Sequence, residues 1–337
     1  MKESLSYVKT DKNGKPKYTE IYMDITNKCN AKCKYCLTGQ ANLKGISRKI
    51  PEYNLKVEDF EAMVNHLIEH EIITEDAWFR IYNWYEPLLS PNLPEIINYC
   101  YDKGLGLDIS TNASKKIDFS KIKSMEHFRG FLFSMPGFSQ KSYNKMHGFD
   151  FELIKDNIEY LTKGIREKGF EGDIFINYHL YQHNFSEVKE AKEFADKLGI
   201  RLNTIFAYFN GGADSRSYLE GTMSSSDLKK YTKDIFLYYL EDIFEDTEYY
   251  IHRLSEPETI TLSEKLNIIP GRGSNDDDAI KSVFDVTSYD DMKKIYDPFK
   301  EKILKDPIAI KSWVWAHNYK VGRNYLFGFE DKEYEQI

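Results

Sequence analysis

The chain has few cysteines, no long apolar run and no broad basic tract. Four cysteines in 337 residues are too few for a disulfide framework, and no stretch approaches the roughly 18 apolar residues of a membrane span. Residues 1–18 lack the apolar core of a signal peptide, so we expect a cytoplasmic protein. The net charge is −8 and Lys and Arg are spread along the chain, which gives no electrostatic footprint for sequence-independent nucleic-acid binding.

Hydrophobic residues make up 41% of the chain, and 25 tyrosines and 21 phenylalanines are ample for a packed core. Apolar runs rich in β-branched and aromatic residues predict six strands, at 20–25, 77–82, 106–110, 130–135, 174–180 and 202–209. Segments of helical period lie between them. Residues 57–70 carry an apolar stripe, and residues 184–198 begin at Asn184, a predicted N-cap.

A strand–helix repeat of this kind predicts an α/β fold with a parallel sheet and right-handed crossovers. An open doubly wound sheet and a partial (β/α) barrel both satisfy the pattern. In either fold the chemistry gathers at the carboxyl ends of the strands.

The pattern changes after about residue 222. We predict an N-terminal lead at 1–17, a core domain at 18–222 and a smaller α+β domain at 223–337, which begins with a helix over 224–244. Short apolar runs and a charged loop make up most of the third region.

Cys29, Cys33 and Cys36 lie within eight residues, directly after the first predicted strand. A closed zinc site would need a fourth ligand, and Cys100 lies in an apolar helical pattern that predicts a buried thiol. Disulfide exchange would use one Cys-x-x-Cys pair and leave Cys29 unexplained. A [4Fe–4S] cluster takes one thiolate per iron, so three cysteines leave one iron open to a chelating small molecule.

The sequence "CNAKCKYC" at 29–36 resembles the Cys-x-x-x-Cys-x-aromatic-Cys signature of the radical S-adenosylmethionine (radical SAM) enzymes. The resemblance implies a partial (β/α)₆ barrel and a [4Fe–4S] cluster on the three cysteines. It also implies that SAM chelates the fourth iron and is cleaved to a 5′-deoxyadenosyl radical that abstracts hydrogen from a substrate. Tyr35 fills the aromatic position, where family members contact the adenine.

Three further segments resemble the family's SAM-binding motifs. Residues 82–97 resemble the Gly-Gly-Glu-Pro segment, with Glu86 retained and Trp84 and Tyr85 in place of the glycines. Residues 107–114 and 131–161 resemble the segments that end the third and fourth strands. The resemblance implies that Glu86 holds the methionine amino group, and that the ribose and carboxylate of SAM are contacted by Ser110, Asn112 and Ser134.

The region 223–337 resembles the SPASM or twitch type of C-terminal extension, which binds auxiliary clusters, but no cysteine follows Cys100. Without an auxiliary electron acceptor, redox-neutral chemistry is favoured. The resemblance also implies a one-electron donor such as flavodoxin or ferredoxin.

The substrate is expected to be a carbohydrate or another small metabolite. The alternatives are a peptide-modifying radical SAM enzyme and a degenerate, non-catalytic relative that binds SAM and an iron–sulfur cluster. A plain electron-transfer iron–sulfur protein would need a fourth protein ligand and would carry no SAM motifs.

Overall fold

The computed structural model describes residues 8–207, 209, 212–237, 259–271 and 274–306. Within these ranges a ten-stranded sheet forms the centre of the molecule. α-Helices connect its successive parallel strands except β4 and β5, between which lies a 3₁₀ turn at Phe119–Lys121. No helix in this part of the chain is long and apolar enough to cross a membrane.

The six predicted strands are all confirmed, with bounds that differ by up to four residues, and a short strand precedes them. Residue 208 of the strand predicted over 202–209 lies outside the described residues. The short strand β1 pairs antiparallel with the first predicted one, β2, while β2 to β7 pair parallel in chain order. This confirms the predicted α/β class. The bounds are β1 (Val8–Thr10), β2 (Pro16–Met23), β3 (Ile73–Arg80), β4 (Gly106–Thr111), β5 (Phe128–Met135), β6 (Asp173–Leu180) and β7 (Arg201–Phe206).

The helices of the described residues pack one apolar side against the sheet. The predicted stripe of the second helix is Phe60, Met63, Val64, Leu67 and Ile68. The first four are buried and Ile68 is partly buried against the core, as expected from spacings of three and four. The bounds are α1 (Leu37–Leu43), α2 (Val57–Glu69), α3 (Leu93–Lys103), α4 (Gln140–Met146), α5 (Phe151–Glu167), α6 (Val188–Lys197), α7 (Gly212–Leu219), α8 (Ser225–Asp234) and α9 (Tyr289–Leu304). Residues 238–244 of the helix predicted over 224–244 lie outside the described residues.

The prediction that Asn184 caps α6 is wrong. Its side chain makes no cap bond and a 3₁₀ turn precedes the helix. Instead the buried amide accepts from the Tyr181 N–H at 2.8 Å and donates to the carbonyl oxygens of Pro136 at 2.7 Å and His179 at 2.9 Å. The amide therefore joins the ends of β5 and β6. A buried amide needs hydrogen-bond partners for its oxygen and its N–H groups, and a helix terminus would supply a partner only for the oxygen.

Three short strands from the C-terminal region extend the same sheet. They are β8 (Ile260–Leu262), β9 (Asn267–Ile268) and β10 (Lys281–Ser282), and β8 pairs parallel with β2. The sheet order is β10-β9-β8-β2-β3-β4-β5-β6-β7, and the tenth strand, β1, pairs with β2 off this path. The predicted division at 222/223 stays a prediction, since the described strands on both sides of it share one sheet.

The two faces of the parallel strands differ in chemistry. In β6, Ile174, Ile176, Tyr178 and Leu180 are buried in the core, whereas the alternate residues, among them Asn177 and His179, are half-buried. Partners in parallel register share a face. We call this second face of β3 to β7 the inner face. It carries the buried Asp108 and the half-buried Arg80, Ser110, Ser134, Asn177, His179 and Asn203.

Candidate active site

The carboxyl ends of β2, β3 and β4 bring three loops into direct contact. The Glu86 N–H donates to the carbonyl oxygen of Lys28 at 2.8 Å, beside the first cysteine. The Glu86 carboxylate in turn accepts from the Asn112 N–H at 2.7 Å, and the Asn112 amide donates to Asn30 Oδ1 at 3.2 Å. The cysteine loop and two of the segments predicted to bind SAM are therefore joined in one hydrogen-bonded ring.

Helix α1 packs against the cysteine loop and holds its backbone. Asn42 donates to the carbonyl oxygens of Cys29 at 2.7 Å and Ala31 at 2.6 Å. Gly39 lies so close that a Cβ there would be 2.3 Å from the Cys33 carbonyl oxygen. Only glycine permits this approach, so the short helix serves as a platform for the loop.

The chemistry of these three thiols suits an iron–sulfur cluster. Burial raises the pKa of Cys33 to about 12 and that of Cys29 well above its ordinary value, so both are protonated unless a metal holds them as thiolates. Among the described residues no three His, Cys, Asp or Glu side chains converge on a position for one metal ion. A cluster does not require such convergence, since each thiolate binds a different iron.

Tyr35 lies between the cysteine loop and the inner face. Its hydroxyl oxygen is 2.7 Å from His147 Nε2, and its ring meets the His179 ring edge-on at 5.1 Å between centroids. Burial lowers the pKa of His147 to about 3 and that of His179 to about 4, so both imidazoles are neutral. The adenine contact predicted for Tyr35 stays a prediction.

Asp24, one residue beyond β2, holds the segment that replaces the family's glycines. Its carboxylate accepts three consecutive backbone N–H groups, from Asn83 at 3.0 Å, Trp84 at 3.1 Å and Tyr85 at 3.2 Å. Burial raises the pKa of Asp24 to about 7, although these three bonds oppose that rise. Because the N–H groups face Asp24, the backbone of this segment is fixed in one orientation.

The side chain of Trp84 connects this segment to the C-terminal region. The Trp84 Nε1–H donates to the carbonyl oxygen of Ser274 at 2.7 Å, and the Asn83 amide donates to the same oxygen at 3.0 Å. The residue that stands in place of glycine therefore makes a contact that glycine could not make.

Glu86 is buried and already has three partners. Its carboxylate accepts from the Thr111 hydroxyl at 2.6 Å and the Leu88 N–H at 3.1 Å, besides the Asn112 N–H. Burial raises the pKa of Glu86 to about 7. The structure thus gives Glu86 a role in joining the loops after β3 and β4, and its contact with the methionine amino group stays a prediction.

Asn112, Ser110 and Ser134 lie at the ends of β4 and β5. Asn112 is buried and its Oδ1 accepts from the Ser114 N–H at 2.9 Å, which shapes the loop that follows. Ser110 and Ser134 are half-buried on the inner face. These are the positions that the resemblance assigned to SAM, and the fold brings them to the same edge as the cysteines.

A charged floor lies deeper on the inner face. Arg80 forms ion pairs with the buried carboxylates of Glu20 and Asp108, and its guanidinium stacks over the Trp78 ring at 3.9 Å. A Cβ at Gly130 would be 3.0 Å from Asp108 Oδ1, so this glycine leaves room for the carboxylate. Buried charges of this kind are held by pairing.

The sequence does not predict three parts of the site: Asp24, the charged floor around Arg80, and the hydrogen-bonded pair of Asn177 and Asn203. A lone Asp after a strand has no spacing signal, and a face shared by several strands depends on register. The sequence of the charged loop at 274–278 likewise does not predict its contacts. In the structure Asp276 accepts from the Ser263 hydroxyl at 2.7 Å and the Asn267 amide at 2.9 Å.

Comparison with known proteins identifies one family. The model of a family described as the radical SAM superfamily matches residues 23–195, and no curated protein matches the sequence. The SuiB structure from Streptococcus suis bound to S-adenosylmethionine is 13% identical, with a TM-score of 0.56 over 87% of this chain and 71% of that one. A structure of histidine-tagged anSMEcpe with bound AdoMet is 13% identical, with a TM-score of 0.53 over 93% and 96%. At these identities the likeness shows the fold alone.

Proposed function

Because the chain belongs to the radical SAM superfamily, we propose that Cys29, Cys33 and Cys36 hold a [4Fe–4S] cluster whose fourth iron binds SAM. Enzymes of this family use both cofactors and a partial (β/α)₆ barrel. A reduced cluster held by the three cysteines would supply one electron for the cleavage of SAM to methionine and a 5′-deoxyadenosyl radical. The chain's own residues position SAM and the substrate and exclude water.

The observation that carries this proposal is the hydrogen-bonded ring between Lys28, Glu86, Asn112 and Asn30. It places the loops that carry the predicted cluster ligands and SAM contacts side by side. A non-catalytic relative has no need of an adjacent polar face for a substrate, whereas this chain has the polar inner face beside the loops.

The test is anaerobic reconstitution with iron and sulfide, followed by dithionite and SAM. We expect 5′-deoxyadenosine from the wild type and none from Cys33→Ala, which should also lose the cluster's absorbance. Cys100→Ala is the matched control, because Cys100 is buried in α3 away from the site. A reconstituted cluster that yields no 5′-deoxyadenosine contradicts the proposal.

For the substrate, we propose a polar molecule rich in hydroxyl groups, a carbohydrate or another small metabolite. Ser134, Asn177 and Asn203 occupy one register level on β5, β6 and β7. The Asn203 amide donates to Asn177 Oδ1 at 2.7 Å, and both side chains keep further donors and acceptors for a ligand. We call these three residues the polar row. Because Ser134 is a predicted SAM contact, a substrate bound along the polar row would lie beside SAM.

The alternative is a peptide, whose backbone amides would also suit such a row. A related structure in the comparison is described as SuiB bound to its precursor peptide SuiA, with a TM-score of 0.55. Incubation with deuterated hexose, deuterated nucleotide-linked hexose and deuterated peptide probes separates the two. Deuterium in 5′-deoxyadenosine from a sugar supports the proposal, and transfer only from peptides contradicts it.

We further propose that 223–337 acts as a SPASM-like domain without its own cluster, which favours a redox-neutral reaction. The electron would come from an acidic carrier such as flavodoxin or ferredoxin. A cytoplasmic setting suits free thiols and a reducible cluster.

A further inference from the structure

The segment around the cysteines has an unusual charge. Residues 25–51 contain no Asp or Glu, whereas the whole chain carries a net charge of −8. The segment contains six basic residues, Lys28, Lys32, Lys34, Lys44, Arg48 and Lys49. It is a local exception to the even spread of cations along the chain.

Most of these cations are available to a partner. Lys32, Lys34, Lys44 and Lys49 are exposed, and no acidic side chain of the described residues lies within salt-bridge distance of them. Lys28 pairs with Glu52 at 2.7 Å, the first acidic residue after the segment. Unpaired exposed lysines beside one another create a positive potential that attracts negatively charged proteins.

Exposed apolar side chains lie among these lysines. Leu37 is 58% exposed, Leu43 50%, Ile46 50% and Ile50 54%, within fourteen consecutive residues. They are four of the eleven large exposed hydrophobic side chains of the described residues, so the apolar surface is concentrated here. An apolar patch with a charged rim is typical of a protein-binding surface.

We call residues 37–50 the cationic cap. It carries the four exposed apolar side chains and the exposed Lys44 and Lys49, and it adjoins the cysteine loop, which carries the exposed Lys32 and Lys34. Helix α1 starts one residue after Cys36, and Gly39 packs on the Cys33 backbone. Seven helical residues span only about 10 Å. A protein seated on the cap would therefore hold its own redox group close to the three thiols.

We propose that the cationic cap docks an acidic protein that carries a one-electron donor, a reduced flavin or an iron–sulfur cluster. This inference rests on the proposed cluster. Cys100, the remaining cysteine of the sequence, is buried in α3, so a protein donor would have to approach the three thiols of the motif themselves. The lysines of the cap would set the rate of encounter more than the affinity.

The test compares a protein donor with a small reductant. In the reconstituted protein, Lys44→Glu/Lys49→Glu should slow cluster reduction by an acidic flavodoxin hydroquinone, or by a reduced ferredoxin, about tenfold. The rise of 5′-deoxyadenosine should slow in parallel, and added salt should slow the wild type. With dithionite, which needs no docking, the variant should match the wild type.

Lys12→Glu/Lys103→Glu is the control, because it changes the net charge equally at the opposite, amino-terminal edge of the sheet. Leu43→Ser/Ile46→Ser should weaken donor binding without removing salt dependence. The inference is overturned if the cap and control variants slow cluster reduction by both carriers equally, or if neither carrier reduces the wild type. It is also overturned if an acidic peptide or polyphosphate binds the cap while neither carrier does. Failure with dithionite as well would instead defeat the proposed function.

Discussion

Replacing Asp24 by alanine should detach the SAM-binding segment from the end of β2. The substitution removes the acceptor of three backbone N–H groups, those of Asn83, Trp84 and Tyr85. Above the Asp24 pKa of about 7 the acceptor is charged, and a hydrogen bond to a charged group contributes about 1.5–3 kcal/mol. This segment is half-buried, so water can replace part of the loss. We therefore expect a loss of roughly 3 kcal/mol in the free energy of unfolding.

The functional consequence should be weaker binding of SAM. The N–H groups that face Asp24 fix which way this backbone presents its carbonyl oxygens, and a freed segment samples other orientations. A cost of about 1.4 kcal/mol corresponds to tenfold in affinity, so we expect the dissociation constant of SAM to rise at least about tenfold. Asp24→Asn, which keeps an oxygen in the same place, should retain most of the affinity.

Equilibrium binding of SAM to the unreduced, reconstituted protein measures this effect, with urea unfolding alongside. Glu264→Gln is the matched control, because Glu264 is a buried carboxylate near Asp24 that makes none of these three bonds. Unchanged SAM affinity in a stable Asp24→Ala protein would refute the reasoning.

Three other substitutions test neighbouring parts of the site. Gly39→Ala should reduce iron loading sharply, because the new methyl overlaps the Cys33 carbonyl oxygen. Iron and sulfide analysis checks this, with Gly271→Ala as the control, since a Cβ there meets nothing within 4 Å. Burial raises the pKa of Glu86 from 4.5 to about 7. The protonated carboxyl therefore contributes stability that is fully present below about pH 4.5 and is lost as the pH rises through 7. In the cofactor-free protein, Glu86→Gln should flatten this part of the curve of unfolding free energy against pH. Ala113 is buried at a φ of 56°, so Ala113→Val should cost more than about 2 kcal/mol in urea unfolding while Ala113→Gly stays near neutral.

The sequence predicts the strands and the position of the cysteine loop well, because both depend on local patterns. Alternating and continuous apolar runs identify β2 to β7, and the thiol spacing follows β2 directly. The chain order of parallel strands then places the loop at the carboxyl edge. Segment 83–86 and Asn112 could be assigned only by resemblance.

The rest of the site depends on contacts between distant residues. The bond from Trp84 to Ser274 spans 190 positions, and the pair of Asn177 and Asn203 meets only through the register of β6 and β7. Strand β8 has three residues, too few for a periodic pattern, and is defined by its pairing with β2. The N-cap prediction for Asn184 is wrong because its amide bonds backwards, to the backbone of Tyr181 and His179, and across to Pro136, 48 positions away.

The most direct test of the central claim is the electron paramagnetic resonance spectrum of the reduced, reconstituted protein with and without SAM. An iron left open by Cys29, Cys33 and Cys36 should bind SAM, so adding SAM should change the spectrum, and replacing any one of the three cysteines by alanine should abolish the signal. A spectrum that SAM leaves unchanged, or a signal that survives the loss of Cys33, would contradict the account.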